Sequence, residues 1–518
     1  MKTLVLVEAS GKTDLLARRL RDLRYTVQVL ATVGHLCDNP RSLRPIALDA
    51  QLRELAYGLR EDRAALLEKI RGAAMAADQI FLAMDDDQEG DVIAHDVAGL
   101  LSGERGKMAR VRLGSLDESD LRWAFERATP LDAADARPGM CRRIIDRAIG
   151  SAFSVIAEGA TIPVGRVQSG ILDAIHAQAP QVGVYRLALP VKDGRVFMAE
   201  VPVHGPEDVA ACGRLATAIA QGSIELREQS EVELPVSTPW AYEEVVEQIA
   251  LRLRIDIDPA AKALQDAYER GLVTYPRARA QAFAPEGAAL GVVLAENNRC
   301  AYDAGRVPVR DRMTAVGKPH ESPRPLDAEG DAAIGRSLSL MGPAEAVHVL
   351  LARNLIECGQ RVRQQRARVA VDERELMFCY TARAPMRSWK DKPAKAGYEA
   401  WPTDVALLRH VRTAGLGRPS TIVGHVTTLM QRNLLALDGG RIALNDKGHQ
   451  WLAHARQAGL SAQVSVAIES RLAAPIEDVH ASARAILSEH GLLGQVDTAI
   501  ARMTPTAPRA APAAVMEP

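Results

Sequence analysis

Three carboxylates stand at every second position in the segment QIFLAMDDDQEGD, namely Asp85, Asp87 and Glu89. In extended backbone alternate side chains face one way, so this spacing turns all three toward one point, where a hard cation such as Mg²⁺ relieves their repulsion. A solvated acidic turn is the plain alternative. An EF-hand loop is a third reading, since Asp85, Asp87, Glu89 and Gly90 fill its first, third, fifth and sixth positions and Asp96 its twelfth. That loop needs a preceding helix, whereas IFLAM reads as a buried strand, and Ile93 and Asp96 suit the ninth and twelfth positions poorly. Upstream, VEASGKT sets Glu8 just after an apolar run and Lys12 four residues later. GKT invites a P-loop reading, but Leu6 stands where that loop requires a glycine, and nothing else in the chain asks for ATP.

Such residues need strands that end side by side. TLVLV, YTVQVLATV and QIFLAM read as short buried strands alternating with the helical stretches TDLLARRLRDL, AALLEKIRGAAMA and DVIAHDVAGLL, which predicts a mostly parallel N-terminal sheet. The text is helical from about 116 to 183 and alternates between apolar and polar residues from 185 to 235, which suggests antiparallel strands. A second helical block runs from WAYEEVVEQIALRLRI to about 357, broken by the loop KPHESPRP, before RARVAVDERELMFCYTA returns to strands. Strand text on both sides of a helical insertion predicts one β domain interrupted in sequence. Helices resume from 401 to 490, with a β-hairpin turning on Gly439-Gly440. The tail TPTAPRAAPAAVMEP has the composition of a disordered segment.

At 518 residues the chain exceeds a single core and reads as multidomain. Its net charge of −1 gives no global sign of nucleic-acid binding, so any such contact must come from local clusters of Arg and Lys. The six cysteines are scattered without CxxC spacing, which argues against zinc and for a reduced, cytoplasmic setting. No apolar run approaches the roughly 20 residues that span a bilayer.

VEASGK followed by MDDDQEGD resembles the Toprim domain, in which a glutamate after the first strand and a later DxDxE form a Mg²⁺ site for phosphoryl transfer. Further along, in order, ATVGHLCDNP, CRRIIDRAIG, VGRVQSG, ALQDAYERGLVTYPRARA, KPHESPRP and GLGRPSTIVGHV resemble the motifs of type IA DNA topoisomerases. This family resemblance implies a multidomain α/β plus α fold: a Rossmann-like Toprim sheet, helical domains and a β arch that together form a torus. The expected boundaries are 1–125 for Toprim, 126–185 with 401–500 for a helical DNA-binding domain, 186–236 with 358–400 for the β arch, 237–357 for the helical domain bearing the tyrosine, and 501–518 for a disordered tail.

By resemblance, Tyr275 is the nucleophile and Arg277 its phosphate-binding neighbour. A phenol of pKa about 10 is mostly protonated at neutral pH, so positive charge nearby favours the phenolate and offsets charge on the transition state. The family implies that Glu8 and Lys12 assist the departing 3′ oxygen and that His320 lies near the scissile phosphate. Glu8, Asp85, Asp87 and Glu89 are the implied Mg²⁺ ligands. His35, Arg142, Arg143, Asp146, Arg147, Arg166, Gln168, Ser169, Arg324, Arg418, Ser420 and Thr421 are the implied DNA-binding residues. A bland reading stands beside them: Arg142, Arg143, Asp146 and Arg147 also suit an exposed, ion-paired helix face.

The implied activity is ATP-independent cleavage of one DNA strand through a 5′-phosphotyrosine, strand passage and religation. It acts on single-stranded segments of negatively supercoiled or catenated duplex, with Mg²⁺ and neither ATP nor zinc, in a monomer of the bacterial cytoplasm. The chain departs from the family pattern in having Gln88 for an arginine, Ser115 for a glutamate and Arg279 for an aspartate. TYPR is similar to topoisomerase III, whereas VEASGK and GRVQS are similar to topoisomerase I. A Toprim nuclease or primase, and a catalytically impaired single-strand binding relative, are the alternatives.

Overall fold

The computed structural model describes residues 2–157, 160–310, 320–328, 335–381 and 395–503. It divides into two compact units, one of residues 1–173, 269–271 and 449–518, the other of 174–268 and 272–448.

The first unit is built on TLVLV. Every residue of Thr3–Val7 is buried, because the strand is central in a four-stranded parallel sheet ordered Val27–Ala31, Thr3–Val7, Gln79–Leu82, Met108–Arg110. Both faces are covered, as an all-parallel sheet requires. Leu4, Leu6, Ile80 and Leu82 pack with residues of the helices Ala64–Ala76 and Gln88–Leu100. Their alternates Val5, Val7, Phe81 and Ala83 pack with residues of Thr13–Asp22 and Glu118–Glu126. A separate core joins the helix Ala133–Phe153 to Ala462–Leu472, Val479–Glu489 and Leu493–Met503 through residues such as Ile145, Ile149, Ile468, Ile486 and Val496. Arg147, on the long helix, holds the preceding loop: it donates to the carbonyl oxygens of Pro40 (2.8 Å), Ser42 (2.7 Å), Pro45 (3.1 Å) and Ile46 (3.0 Å).

The second unit contains a six-stranded sheet ordered Glu225–Pro235, Arg361–Val371, Arg374–Thr381, Val196–Val203, Gly183–Pro190, Gly397–Ala400, antiparallel throughout. Strands before and after the helical insertion therefore share one sheet, as the sequence pattern predicts. The edge strand Glu225–Pro235 is mostly exposed and sets acids against bases across the ladder, with Glu228 opposite Arg368 and Glu233 opposite Arg363. Between 185 and 235, read from sequence as strands alone, the structure inserts a helix, Pro206–Ala220, whose Leu215 and Ile219 pack on Leu187, Leu189 and Phe197. Its signals were present: proline at the first turn, Glu207 and Asp208 behind it, and apolar residues at helical spacing. The hairpin at Gly439-Gly440 forms as expected, pairing Leu435–Asp438 with Arg441–Leu444.

At the C-terminus the expected disordered tail begins too early by three residues, because the last helix runs to Met503; the rest of that tail lies outside the described residues. Among the described residues no helix is long and apolar enough to cross a membrane.

Arg147 tests how much a buried guanidinium holds. Arg147→Met removes the shared donor of four carbonyls, and we expect a loss of about 3 kcal/mol in urea unfolding of the full chain. A loss below about 0.5 kcal/mol, the scale of an inert surface change, contradicts the assignment.

Candidate functional site

Glu8 and Asp85 follow the C-terminal ends of neighbouring parallel strands, the edge at which such sheets carry their ligands. Lys12, in the turn Ser10–Lys12, reaches across and pairs its Nζ with Asp85 Oδ1, both side chains being almost fully buried. Beneath them Arg110, 3% exposed, fixes the turn that bears the acids: its guanidinium donates to Leu82 O (3.2 Å), Met84 O (2.8 Å), Val111 O (2.6 Å) and Asp85 O (2.7 Å). Asp91 accepts from Arg110 (3.1 Å) and Arg112 (2.7 Å), and Asp86 from Arg112 (3.2 Å). Burial raises the Asp91 carboxyl above its ordinary value, although both arginines act against it.

The alternation expected of the three carboxylates does not run on through Glu89. Asp87 is extended and caps the helix Gln88–Leu100, accepting from Gly90 N at 2.8 Å, so Glu89 lies in the first helical turn instead of continuing a strand. The helix starts there because an Asp with this geometry satisfies one of its free N–H groups. Gly90 is required, since a Cβ would collide with the Asp85 carbonyl. With a strand in front and a helix behind, the EF-hand reading is excluded. Among the described residues no three His, Cys, Asp or Glu side chains converge as a closed metal cage. The donor chemistry nonetheless suits Mg²⁺, which is commonly held by one or two carboxylates, waters and a substrate phosphate. Asp87 and Glu89, half-buried at a helix start, are oxygen donors of that kind.

Most of the arginines expected to grip DNA are committed within the first unit. Arg143 makes a bidentate pair with Glu54 (2.9 and 2.6 Å) and lies 3.6 Å from the centre of the Tyr57 ring, while Tyr57 donates to Asp96 at 2.5 Å. Arg147 is spent on loop carbonyls. Arg143 is thus ion-paired within the fold, whereas Arg147 holds backbone carbonyls. Arg142 donates to Gln88 (2.6 Å) and Glu469 (2.7 Å), and Arg166, 4% exposed, to Asp146 (2.8 Å) and Glu469 (3.1 Å). Glu469 thus ties two arginines together from more than three hundred residues away in sequence, and no local pattern announces it. Ser169 is buried, Gln168 half-buried, and His35 half-buried within electrostatic reach of Asp96. Gln88 and Ser115, two departures from the family pattern, have partners: Gln88 accepts from Arg142, and Ser115 donates to Asp120.

In the second unit Tyr275 lies beyond the helix Ile257–Glu269, in an extended segment that pairs with the loop of His320. Thr274 N donates to Arg324 O (2.9 Å), Arg324 N to Thr274 Oγ1 (3.1 Å), and Val273 bridges Pro325. The Tyr275 ring, 2% exposed, stacks on His320 at 4.4 Å and meets Tyr268 edge-on at 5.6 Å. Lys318 and Pro319 of this loop lie outside the described residues. Arg324 is buried, donating to Glu321 (2.9 Å) and Pro325 O (3.0 Å), and so holds the loop. Arg277 is half-buried, and its charge is felt by the phenol of Tyr242, which burial pushes up to about 12 against that influence. Arg418, Ser420 and Thr421 are half-buried, with Thr421 immediately before the helix Ile422–Gln431.

Comparison with known proteins bears on both sites. The Toprim domain model matches residues 3–113, the stretch holding Glu8, Lys12 and the acidic turn. DNA topoisomerase 1 of Vibrio cholerae is 22% identical over 450 residues, 76% of this chain and 50% of the relative. A plasmid DNA topoisomerase I of Xylella fastidiosa is 24% identical over 350 residues, 63% of this chain and 52% of the relative. The chain is thus similar to DNA topoisomerases I. Full-length topoisomerase I from Thermotoga maritima shares its fold, with a TM-score of 0.66 at 16% identity, covering 98% of this chain and 91% of that one. The chain spans about half the length of the Vibrio and Xylella topoisomerases.

The buried Lys12–Asp85 pair yields a measurable coupling. Breaking such a pair from one side costs about 3 kcal/mol, whereas removing both partners costs less than the sum. Lys12→Met, Asp85→Asn and the double variant, compared by thermal unfolding, should show a coupling above about 1 kcal/mol; additive losses contradict a direct pair.

Proposed function

We propose that this chain is a topoisomerase that cuts one DNA strand by transferring its phosphate to Tyr275, passes DNA through the break and reseals it. The observation that carries the reading is the tyrosine segment itself: a phenol stacked on His320, two residues before Arg277, in a chain whose N-terminal sheet is a Toprim domain. The tyrosine oxygen forms a bond to phosphorus as the bond to the 3′ oxygen breaks. The phenol gives up its proton, and the departing oxygen gains one. Arg277 and His320 would face the charge that develops on phosphate, with preorganised donors worth most where water is excluded. Lys12 and Glu8 would serve the departing 3′ oxygen, with Lys12 held in place by Asp85. Glu8, Asp85, Asp87 and Glu89 would hold Mg²⁺, which would neutralise phosphate charge and favour religation. The ester keeps the free energy of the phosphodiester, so no nucleotide is consumed. DNA binding would fall to His35, Arg142, Arg143, Asp146, Arg147, Arg166, Gln168, Ser169, Arg324, Arg418, Ser420 and Thr421. The four-domain division given by the family resemblance, a cytoplasmic setting and a monomeric state belong to the same proposal.

Tyr275→Phe removes one oxygen and is expected to abolish the covalent attachment of protein to the 5′ end of a labelled single-stranded oligonucleotide while leaving its affinity unchanged. Linkage mapped to Tyr242 or Tyr268, or plasmid relaxation by the Phe variant, sinks the mechanism. Protein-free cleavage products would support a nuclease instead.

Asp87→Asn combined with Glu89→Gln should raise the Mg²⁺ concentration needed for half-maximal religation by roughly tenfold or more, as loss of two charged ligands to a hard cation implies. An unchanged Mg²⁺ dependence removes these carboxylates from the metal's site.

A further inference from the structure

Arg279 stands four residues after the tyrosine, and its surroundings are unusual for an exposed side chain. Its guanidinium holds Glu243 Oε1 through Nε (2.9 Å) and Nη2 (2.8 Å), and the same Nη2 donates to the carbonyl oxygen of Gly417 at 3.0 Å. Glu243, in the first turn of the helix Tyr242–Leu253, is 1% exposed against 46% for the arginine. A carboxylate so deeply buried needs a fixed cation, and Arg279 supplies it while extending a second donor to the loop. Gly417 is buried with φ +75°, close to Ile422, so its carbonyl is held in one direction by a conformation that favours glycine. The next residues are Arg418, Ser420 and Thr421; Arg418 O in turn accepts from Thr421 N (2.9 Å) and Ile422 N (2.8 Å). On the other side, Ala278 O accepts from Tyr242 N at 2.8 Å, anchoring the arginine's own backbone to the same helix start.

We propose that Arg279 is a positioning residue: it fastens the loop that presents Arg418, Ser420 and Thr421 to the segment carrying Tyr275, with Glu243 as the buried counter-ion that aims its fork. Lysine cannot replace it, because one ammonium cannot hold the carboxylate side-on and the carbonyl together in a fixed plane. The proposal rests on the reading of Tyr275 as nucleophile and of the Arg418 loop as a DNA contact. It assigns Arg279 no contact with the reacting atoms.

The test separates the tie to Gly417 from simple neutralisation of Glu243. Arg279→Gln strands a buried carboxylate and is expected to lower the melting temperature. The double variant Arg279→Gln/Glu243→Gln removes that charge and should recover most of the stability. If the tie matters, both variants show faster amide exchange at residues 416–422 and bind a single-stranded oligonucleotide roughly tenfold more weakly, the scale of a lost charge-assisted hydrogen bond. Their cleavage rate at saturating DNA falls less than their affinity. Recovery of affinity and exchange protection along with stability in the double variant would overturn the proposal, as would unchanged exchange in both. If the wild-type chain forms no covalent adduct, the functional reading fails, while the exchange measurement still decides whether the tie exists.

Discussion

Like charges crowded at one edge of a sheet repel, and the first unit is organised around cancelling that repulsion. Asp85, Asp86, Asp87, Glu89 and Asp91 fall within seven residues, and the described partners meet most of them separately. Lys12 takes Asp85, Arg112 takes Asp86, Arg110 and Arg112 share Asp91, and the start of a helix takes Asp87. The order of these solutions is physical. Buried acids receive full cations, because an unpaired charge in a low-dielectric interior costs several kcal/mol. Asp87, half-buried at the helix start, accepts instead from the backbone N–H of Gly90, a weaker partner than a full cation.

Much of this was legible in sequence, and for identifiable reasons. Apolar runs such as TLVLV and QIFLAM fix the parallel sheet, and Glu8 and Asp85 follow from where those runs stop. The segment around Tyr275 could be located from its motif. The turn of Glu89 into a helix was less accessible, because alternating acids look the same in a strand and in a capped helix until Asp87 is seen to accept from Gly90. The helix Pro206–Ala220 was missed for a different reason: strand-like text on both sides outweighed a proline-led, alanine-rich stretch that carried its own start signal.

Arginine is where sequence says least. Arg142, Arg143, Arg147, Arg166 and Arg324 share a residue type suited to phosphate, yet their partners are Gln88, Glu54, Glu469, Asp146, Glu321 and backbone carbonyls. A guanidinium has five donors and can serve a fold as well as a ligand. Which it does depends on acceptors that lie far away in the chain, such as Glu469 for Arg166. The departures from the family pattern follow the same logic: Gln88, Ser115 and Arg279 read as losses in the sequence, and each has a partner in the fold.

The six-stranded sheet of the second unit ends in a long open strand, Glu225–Pro235, whose outward row of peptide groups is a template for another chain. Its side chains bear Glu225, Glu228, Glu231 and Glu233 against the single Arg227, while the neighbouring strand contributes Arg361, Arg363, Arg366 and Arg368. A second copy of the same strand laid along that edge would bring glutamate against glutamate, which is destabilising at cross-strand distance. The charges that hold the strand to its own neighbour thus also keep the protein from growing sheets with itself, a safeguard against aggregation that depends on the two strands having opposite sign.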